Sequence, residues 1–247
     1  MLSEENSTWA TPPQSPSLET GTVHVWRISL DQPNDSLDRF QRTLEPDELN
    51  RASRFHFEKH RRHFIVARGF LRSVVAPYLE MQPESLRFSY GPYGKPVLAS
   101  EHALRFNLSH SHEVALLAVA LDAELGVDVE HIRADFASEE IAQRFFSRAE
   151  VEVFNSLPKE ERVVAFFRCW TRKEAYIKAI GKGLSQALDA FDVTLAPDIQ
   201  PALLRAEDDD ASRWSLSDVD VGEGYAGALA VERPVAEVRF FRQDLQD

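Results

Sequence analysis

Gly126-Val127-Asp128-Val129-Glu130 and, about forty residues on, Trp170-Thr171-Arg172-Lys173-Glu174-Ala175-Tyr176-Ile177-Lys178 decide how this chain reads. The first segment alternates apolar and acidic residues, which is the pattern of a strand. Asp128 and Glu130 then project from one face, roughly 7 Å apart. The second segment reads as helix, where positions four apart share a face at about 6 Å, so Glu174 and Lys178 point the same way. Three carboxylates and a lysine suit a hard divalent cation clamped on a pyrophosphate.

Outward from these segments, strands and helices are mixed. Strands are expected at 22–30, 86–90, 104–108, 114–121 and 125–130, with 104–108 and 114–121 joined through Ser109-His110-Ser111-His112. Glu45-Pro46-Asp47-Glu48 opens a helix, with proline in the first turn and acids at the positive end of the dipole. A longer helix runs from Glu58 to Tyr78, its apolar residues recurring at threes and fours, and Pro77 marks its end or a kink. Further helices are expected near 137–145 and 147–156, the second opened by Ser147 and Glu150 as a capping box. The long helix 159–180 carries the stripe Val163, Phe166, Phe167, Trp170, Ile177 and Ile180, and Gly181 or Gly183 ends it. Strands return at 191–195, 214–216, 225–231 and 238–241, with Glu207-Asp208-Asp209-Asp210 as a loop tip. There is no regular βαβ alternation, so the class is α+β. Each half has strands and a long helix, which suggests two similar lobes about a cleft, although no internal sequence repeat is visible. The expected organisation is a flexible N-terminal tail (1–20), an N-terminal α+β half (21–122) and a C-terminal α+β half (123–247) carrying the metal site.

The 247 residues are 43% hydrophobic, enough for a substantial core. No run of about 18 apolar residues exists, so no membrane span is expected. The net charge of −12 argues against broad nucleic-acid or membrane-surface binding. Positive charge is concentrated in 51–72, where Arg51, Arg54, Lys59, Arg61, Arg62, Arg68 and Arg72 face only Glu58. That segment reads either as a holder of an anionic small molecule or as a solvated helix face. The first twenty residues lack the basic start and apolar stretch of a signal peptide. The single cysteine, Cys169, forms no internal disulfide and reads as a small buried hydrophobe. A cytoplasmic enzyme is the expectation.

The two opening segments, taken with Gly94-Lys95-Pro96, Phe106-Asn107-Leu108-Ser109-His110-Ser111, Phe146-Ser147-Arg148-Ala149-Glu150 and Gly181-Lys182-Gly183-Leu184, resemble the large, Sfp-like 4′-phosphopantetheinyl transferases. The order and spacing of these motifs, spanning about residues 50–195, carry the resemblance. It implies two similar α+β halves with coenzyme A at their junction, and a monomer as a sufficient unit. It also implies transfer of the phosphopantetheine arm of coenzyme A to a serine of an apo acyl or peptidyl carrier protein, with adenosine 3′,5′-bisphosphate as the other product. Such an enzyme is a holo-[acyl-carrier-protein] synthase requiring Mg²⁺.

Residue by residue, the resemblance makes Asp128, Glu130 and Glu174 the metal ligands, with Lys178 meeting the phosphates. Glu174 is favoured as the base that takes the serine proton, with Glu130 and Glu150 as alternatives; the capping box is an equal reading of Glu150. Ser109 and His110 match a phosphate contact, and Lys95 a contact at the nucleotide end. Arg51 matches a cation on the 3′-phosphate side, with Arg54 and Arg68 as further candidates. Glu48 departs from the pattern, standing where some relatives are basic, and His131 replaces a common lysine. Trp170 and Tyr176 read as packing residues, and His60, His63 and His112 as structural. Arg144, Arg148, Lys159 and Arg162 mark a candidate surface for the acidic carrier helix, with ordinary solvated charge as the other reading. Two further classes share the carboxylates: a metal-dependent pyrophosphate hydrolase or nucleotidyl enzyme, and a non-catalytic coenzyme A or carrier-binding module.

Overall fold

The computed structural model describes residues 9–13 and 15–243. One arrangement of elements occurs twice along the chain. The first pass is β1 (Thr22–Ser29), α1 (Asn34–Thr43), α2 (Pro46–Ala52), α3 (Glu58–Tyr78), the ribbon β2 (Phe88–Tyr90) and β3 (Pro96–Leu98), then β4 (Leu104–Ser111) and β5 (Val114–Leu121). The second is β6 (Leu125–His131), α4 (Glu139–Phe145), α5 (Arg148–Ser156), α6 (Lys159–Ile180), the ribbon β7 (Phe191–Val193) and β8 (Leu203–Ala206), then β9 (Trp214–Asp218) and β10 (Tyr225–Glu232). In both passes the last strand lies between the other two and antiparallel to each, as β1-β5-β4 and β6-β10-β9. The expected α+β class is what forms, and the two similar halves, suggested without any visible sequence repeat, are plain in topology. A final strand, β11 (Glu237–Arg242), crosses back to pair parallel with β1. The C-terminal stretch therefore completes the first sheet.

Strand alternation gives each sheet two apolar faces. Trp26, Ile28, Leu117 and Val119 face the core shared with α1 and α3. On the opposite side Val23, Val25, Leu116 and Ala118 meet Leu125, Val127, Val129, Leu229 and Val231 of the second sheet. Ala228 and Ala230 turn outward again, into the aromatic core beneath α4, α5 and α6. Two sheets thus pack face to face with helices outside them. The central strand β5 is buried almost throughout, matching its nearly unbroken apolar sequence.

Three local expectations change. No element is expected from sequence at Asn34–Thr43, yet it is α1; its mostly polar residues hide a narrow stripe of Leu37 and Phe40 that only α3 reveals. Strand β4 does not stop at Leu108 but continues through Ser109 and His110 to Ser111. The expected tail is pinned from Trp9 onward: Ala10 bridges Phe241, and the Trp9 indole donates to Asp220 O at 2.8 Å. Met1 to Thr8 of that expectation lie outside the described residues. Among the described residues no helix is long and apolar enough to cross a membrane.

His24 on β1 is almost fully buried, its Nδ1 2.6 Å from the Tyr78 hydroxyl and its Nε2 without a partner. Burial, reinforced by the charge of Arg239, pushes its pKa down to about 4 from the ordinary 6.5. Between those values the unfolded chain binds a proton that the folded chain refuses. Stability therefore falls as pH falls from 6.5 toward 4, by up to about 3 kcal/mol from this group. Urea unfolding at pH 7 and pH 4.5 should show a smaller acid loss in His24→Phe than in wild type. Equal losses would mean that His24 titrates normally in the folded protein.

Candidate active site at the seam between the sheets

Strands β4 and β6 are the facing edges of the two sheets, and among the described residues no backbone ladder joins them. Side chains do so instead. Asn107 Oδ1 accepts the Val127 N–H at 2.9 Å, the Ser109 hydroxyl donates to Asp128 Oδ1 at 2.9 Å, and the Ser111 hydroxyl donates to Glu130 Oε2 at 2.7 Å. Ser111 Oγ also accepts the His131 N–H at 3.1 Å. Every second residue of β4 therefore holds the next stretch of β6, both strands running the same way. This polar alternation was present in Phe106-Asn107-Leu108-Ser109-His110-Ser111, but its partners lie about twenty residues away and needed the fold to be seen.

The other wall is α6. It sits so close to β6 at Gly126 that a Cβ there would stand 2.1 Å from the Ala175 carbonyl oxygen. Only glycine lets the helix down onto the face that carries Asp128 and Glu130. The helix is anchored on several sides. Arg172 forks onto Asp218 at 2.8 and 2.7 Å and donates to Thr194 O at 2.6 Å. Fully buried Lys173 pairs with Glu150 at 2.8 Å and donates to the carbonyls of Leu188 and Phe191. Tyr176 lies against Phe191 and Trp214 and donates to Asp209, while Trp170 stacks on Phe166. Both aromatics are packing residues, as expected. Cys169 is buried, and burial pushes its thiol well above the ordinary range. Gly181 ends the helix at φ 68°, a left-handed cap.

So anchored, α6 aims Lys178 at the seam. Its ammonium donates to Asp128 Oδ1 at 2.6 Å and to Ser109 Oγ at 2.8 Å. Asp128 is 3% exposed and its Oδ2 is buried without a partner. Burial raises the Glu174 pKa, the Asp128 and Glu130 charges raise it further, and Lys178 opposes them. Glu130 is likewise raised, first by burial and then by Asp128, against the Ser111 hydrogen bond. Three carboxylates thus share one poorly solvated field with one ammonium, which leaves excess negative charge. Among the described residues no three such side chains are gathered tightly enough to form a ready metal cluster. The donor chemistry nonetheless fits a hard cation: all oxygen, net negative, with one buried carboxylate oxygen unpartnered.

The remaining candidates divide. His110 is exposed at its surface yet closely surrounded by protein, which first, and then with the charges of Lys178 and His63, holds its pKa below the ordinary value. Lys95 donates to the carbonyls of Leu125 and Ala179 at 3.2 and 3.3 Å, so its ammonium clamps β6 to the end of α6. It also lines a cavity of about 930 Å³ with Arg105, Glu124, Arg213 and Trp214, a cavity that touches none of the three carboxylates. Arg51 rests over the Phe64 ring at 5.4 Å and, with Arg54, Asp47, Asn50 and Phe55, lines a separate pocket of about 520 Å³.

Arg68 is not available for a ligand. It is buried, its Nε 2.7 Å from Glu48 Oε1, beneath the rings of Phe88 and Tyr90. Glu48 also takes Arg72 Nε at 2.7 Å, while Arg72 reaches Glu45 at 2.8 Å and the carbonyls of Pro83 and Leu86. The departure at Glu48 is thereby explained: it is the counter-ion of two buried arginines. Glu150 is excluded as the base, because it caps α5, accepts Val193 N–H at 2.7 Å and pairs with Lys173. Arg162 is engaged by Glu139 and the carbonyls of Leu157 and Asn155, leaving Arg144, Arg148 and Lys159 exposed on that surface.

Residues 124–230 match the 4′-phosphopantetheinyl transferase superfamily, and residues 31–122 match the family described as 4′-phosphopantetheinyl transferase, N-terminal. The chain is 42% identical to the 4′-phosphopantetheinyl transferase HetI of Nostoc over 91% of its length and 93% of the relative's. It is 30% identical to the 4′-phosphopantetheinyl transferase Sfp of Bacillus subtilis, covering 86% of this chain and 93% of that one. A crystal structure of holo-(acyl-carrier-protein) synthase from Bacillus anthracis in complex with CoA aligns over 44% of this chain and 93% of that chain, at 21% identity and a TM-score of 0.37. This chain belongs to the 4′-phosphopantetheinyl transferase family.

Two stability predictions follow from the anchoring contacts. Gly126→Val should destabilise the protein by about 2 kcal/mol or more, because α6 must lift from β6. Glu48→Ala should lower stability by about 3–5 kcal/mol, because it leaves buried guanidinium charge uncompensated. Urea midpoints check both. An unchanged midpoint in the first would mean α6 is not seated at Gly126, and in the second that Arg68 and Arg72 find other partners.

Proposed function

We propose that this protein transfers the 4′-phosphopantetheine arm of coenzyme A to a serine hydroxyl of an apo acyl or peptidyl carrier protein, releasing adenosine 3′,5′-bisphosphate. The observation that carries the reading is the convergence of Asp128 and Glu130 from β6 with Glu174 and Lys178 from α6, at a seam where negative charge exceeds positive. Asp128, Glu130 and Glu174 would hold Mg²⁺, which when bound polarises the diphosphate and offsets charge on the leaving bisphosphate. The cleft then lies between the halves 21–122 and 123–247, and one chain suffices as a monomer.

The chain's own groups have distinct tasks. Lys178, which donates to Asp128 and Ser109, supplies a mobile positive charge at the diphosphate. Ser109 and His110, at the end of β4, face the phosphates from the opposite wall. Glu174 accepts no hydrogen bond among the described residues and its pKa is raised, both of which suit a carboxylate that takes the serine proton. Arg51 and Arg54 bind the 3′-phosphate in the pocket beside Phe55. Lys95 leaves its carbonyl partners if it also meets the nucleotide. Arg144, Arg148 and Lys159 face the acidic carrier.

Incubation with coenzyme A, Mg²⁺ and a panel of apo carriers should yield a carrier heavier by the phosphopantetheine arm in mass spectrometry. Release of 3′,5′-bisphosphate with every carrier unmodified would favour a pyrophosphate hydrolase instead; coenzyme A binding with neither product would favour a binding module. Asp128→Ala and Glu174→Ala should each slow turnover by about 10²–10³-fold or more, and wild-type rates in either would remove that residue from the machinery. Arg51→Ala should raise the coenzyme A KM more than it lowers kcat, since it holds a non-reacting part of the molecule. An unaltered KM would take Arg51 out of the pocket.

A further inference from the structure

Ser111 ends β4 with its hydroxyl held at both sides. Its oxygen accepts the His131 backbone N–H at 3.1 Å, and its proton goes to Glu130 Oε2 at 2.7 Å. The N–H fixes the oxygen, so the hydroxyl proton has a defined direction. Glu130 accepts no other hydrogen bond among the described residues, and a glutamate has several rotatable bonds over which an unheld carboxylate spreads. The other rungs of the seam act elsewhere: Asn107 meets only backbone, and Ser109 meets Asp128 and Lys178. We propose that Ser111 is a positioning residue, which orients the Glu130 carboxylate toward a divalent cation shared with Asp128. Cation affinity in the second half of the molecule is then set by a side chain from the first. The inference rests on the reading of these carboxylates as a cation site. Groups that orient a metal ligand commonly govern affinity by about 10–100-fold.

Mn²⁺ alone is the probe, its free concentration read by electron paramagnetic resonance on the full chain without coenzyme A or carrier. Ser111→Ala should raise the Mn²⁺ Kd about tenfold or more, at a temperature where circular dichroism shows the variant folded, and Ser111→Thr should return it toward wild type. Should Ser111→Ala not fold, the isosteric pair Ser111→Thr and Ser111→Val reads the same contrast, hydroxyl present against hydroxyl absent. A folded hydroxyl-free variant with wild-type affinity, while Asp128→Asn weakens binding, overturns the role of Ser111 and leaves the cation site standing. Failure of wild type to bind Mn²⁺, or equal binding by Asp128→Asn, overturns the site and this proposal together.

Discussion

Two sheet edges meet at β4 and β6 through side chains instead of a backbone ladder, and the rest of the molecule is arranged around that seam. A continuous ladder would have consumed the edge in backbone N–H to carbonyl hydrogen bonds. Side-chain rungs hold the strands in parallel register while leaving hydroxyls and carboxylates in the gap. The apolar layer behind them, from Val23 and Leu116 to Val127 and Leu229, supplies cohesion that the rungs alone could not. Polar residues at the seam can therefore be chosen for chemistry, because burial elsewhere keeps the sheets together.

Precise placement of α6 is the second requirement, and buried charge provides it. Arg172 and Lys173 are almost wholly removed from water, yet each has oxygen partners on strands, ribbons or the α5 cap. The first half uses the same device: Arg68 and Arg72 on α3 converge on Glu48 of α2. Such pairs give little net stability against apolar packing, since desolvation offsets the attraction. What they impose is direction, because each guanidinium or ammonium must point at its acceptors. A helix held by apolar contacts alone could rotate or slide at small cost; with Arg172 and Lys173 bound, Glu174 and Lys178 have one orientation.

Against these satisfied pairs the seam stands out. Asp128, Glu130 and Glu174 share a single ammonium, one carboxylate oxygen has no partner, and the pKa values of both glutamates are pushed upward. Everywhere else in the described core charge is matched with hydrogen bonds. An arrangement that resists its own charge is what the proposed reaction would call for, since phosphoryl-group transfer to a hydroxyl needs a cation on the phosphates and an acceptor for the hydroxyl proton.

The α+β class, the long helices, the capping box at Ser147 and the two acid-bearing segments were all legible in the chain, because each depends on spacing within a few residues. So were the shared faces of Asp128 with Glu130 and of Glu174 with Lys178, since periodicity alone sets them; that the two faces meet was implied only by the family resemblance. Two similar halves were suggested by the elements in each, but their strand order was not, nor the return of β11 to β1, because strand order depends on contacts between distant segments. Whether an arginine lines a pocket or is spent on a glutamate was equally hidden: Arg51 and Arg68 look alike in sequence, and only the approach of Glu48 separates them. Glu150 shows the same limit, its cap readable locally and its burial against Lys173 not. Local periodicity determines which way a side chain faces; what it meets there is decided by how the whole chain closes.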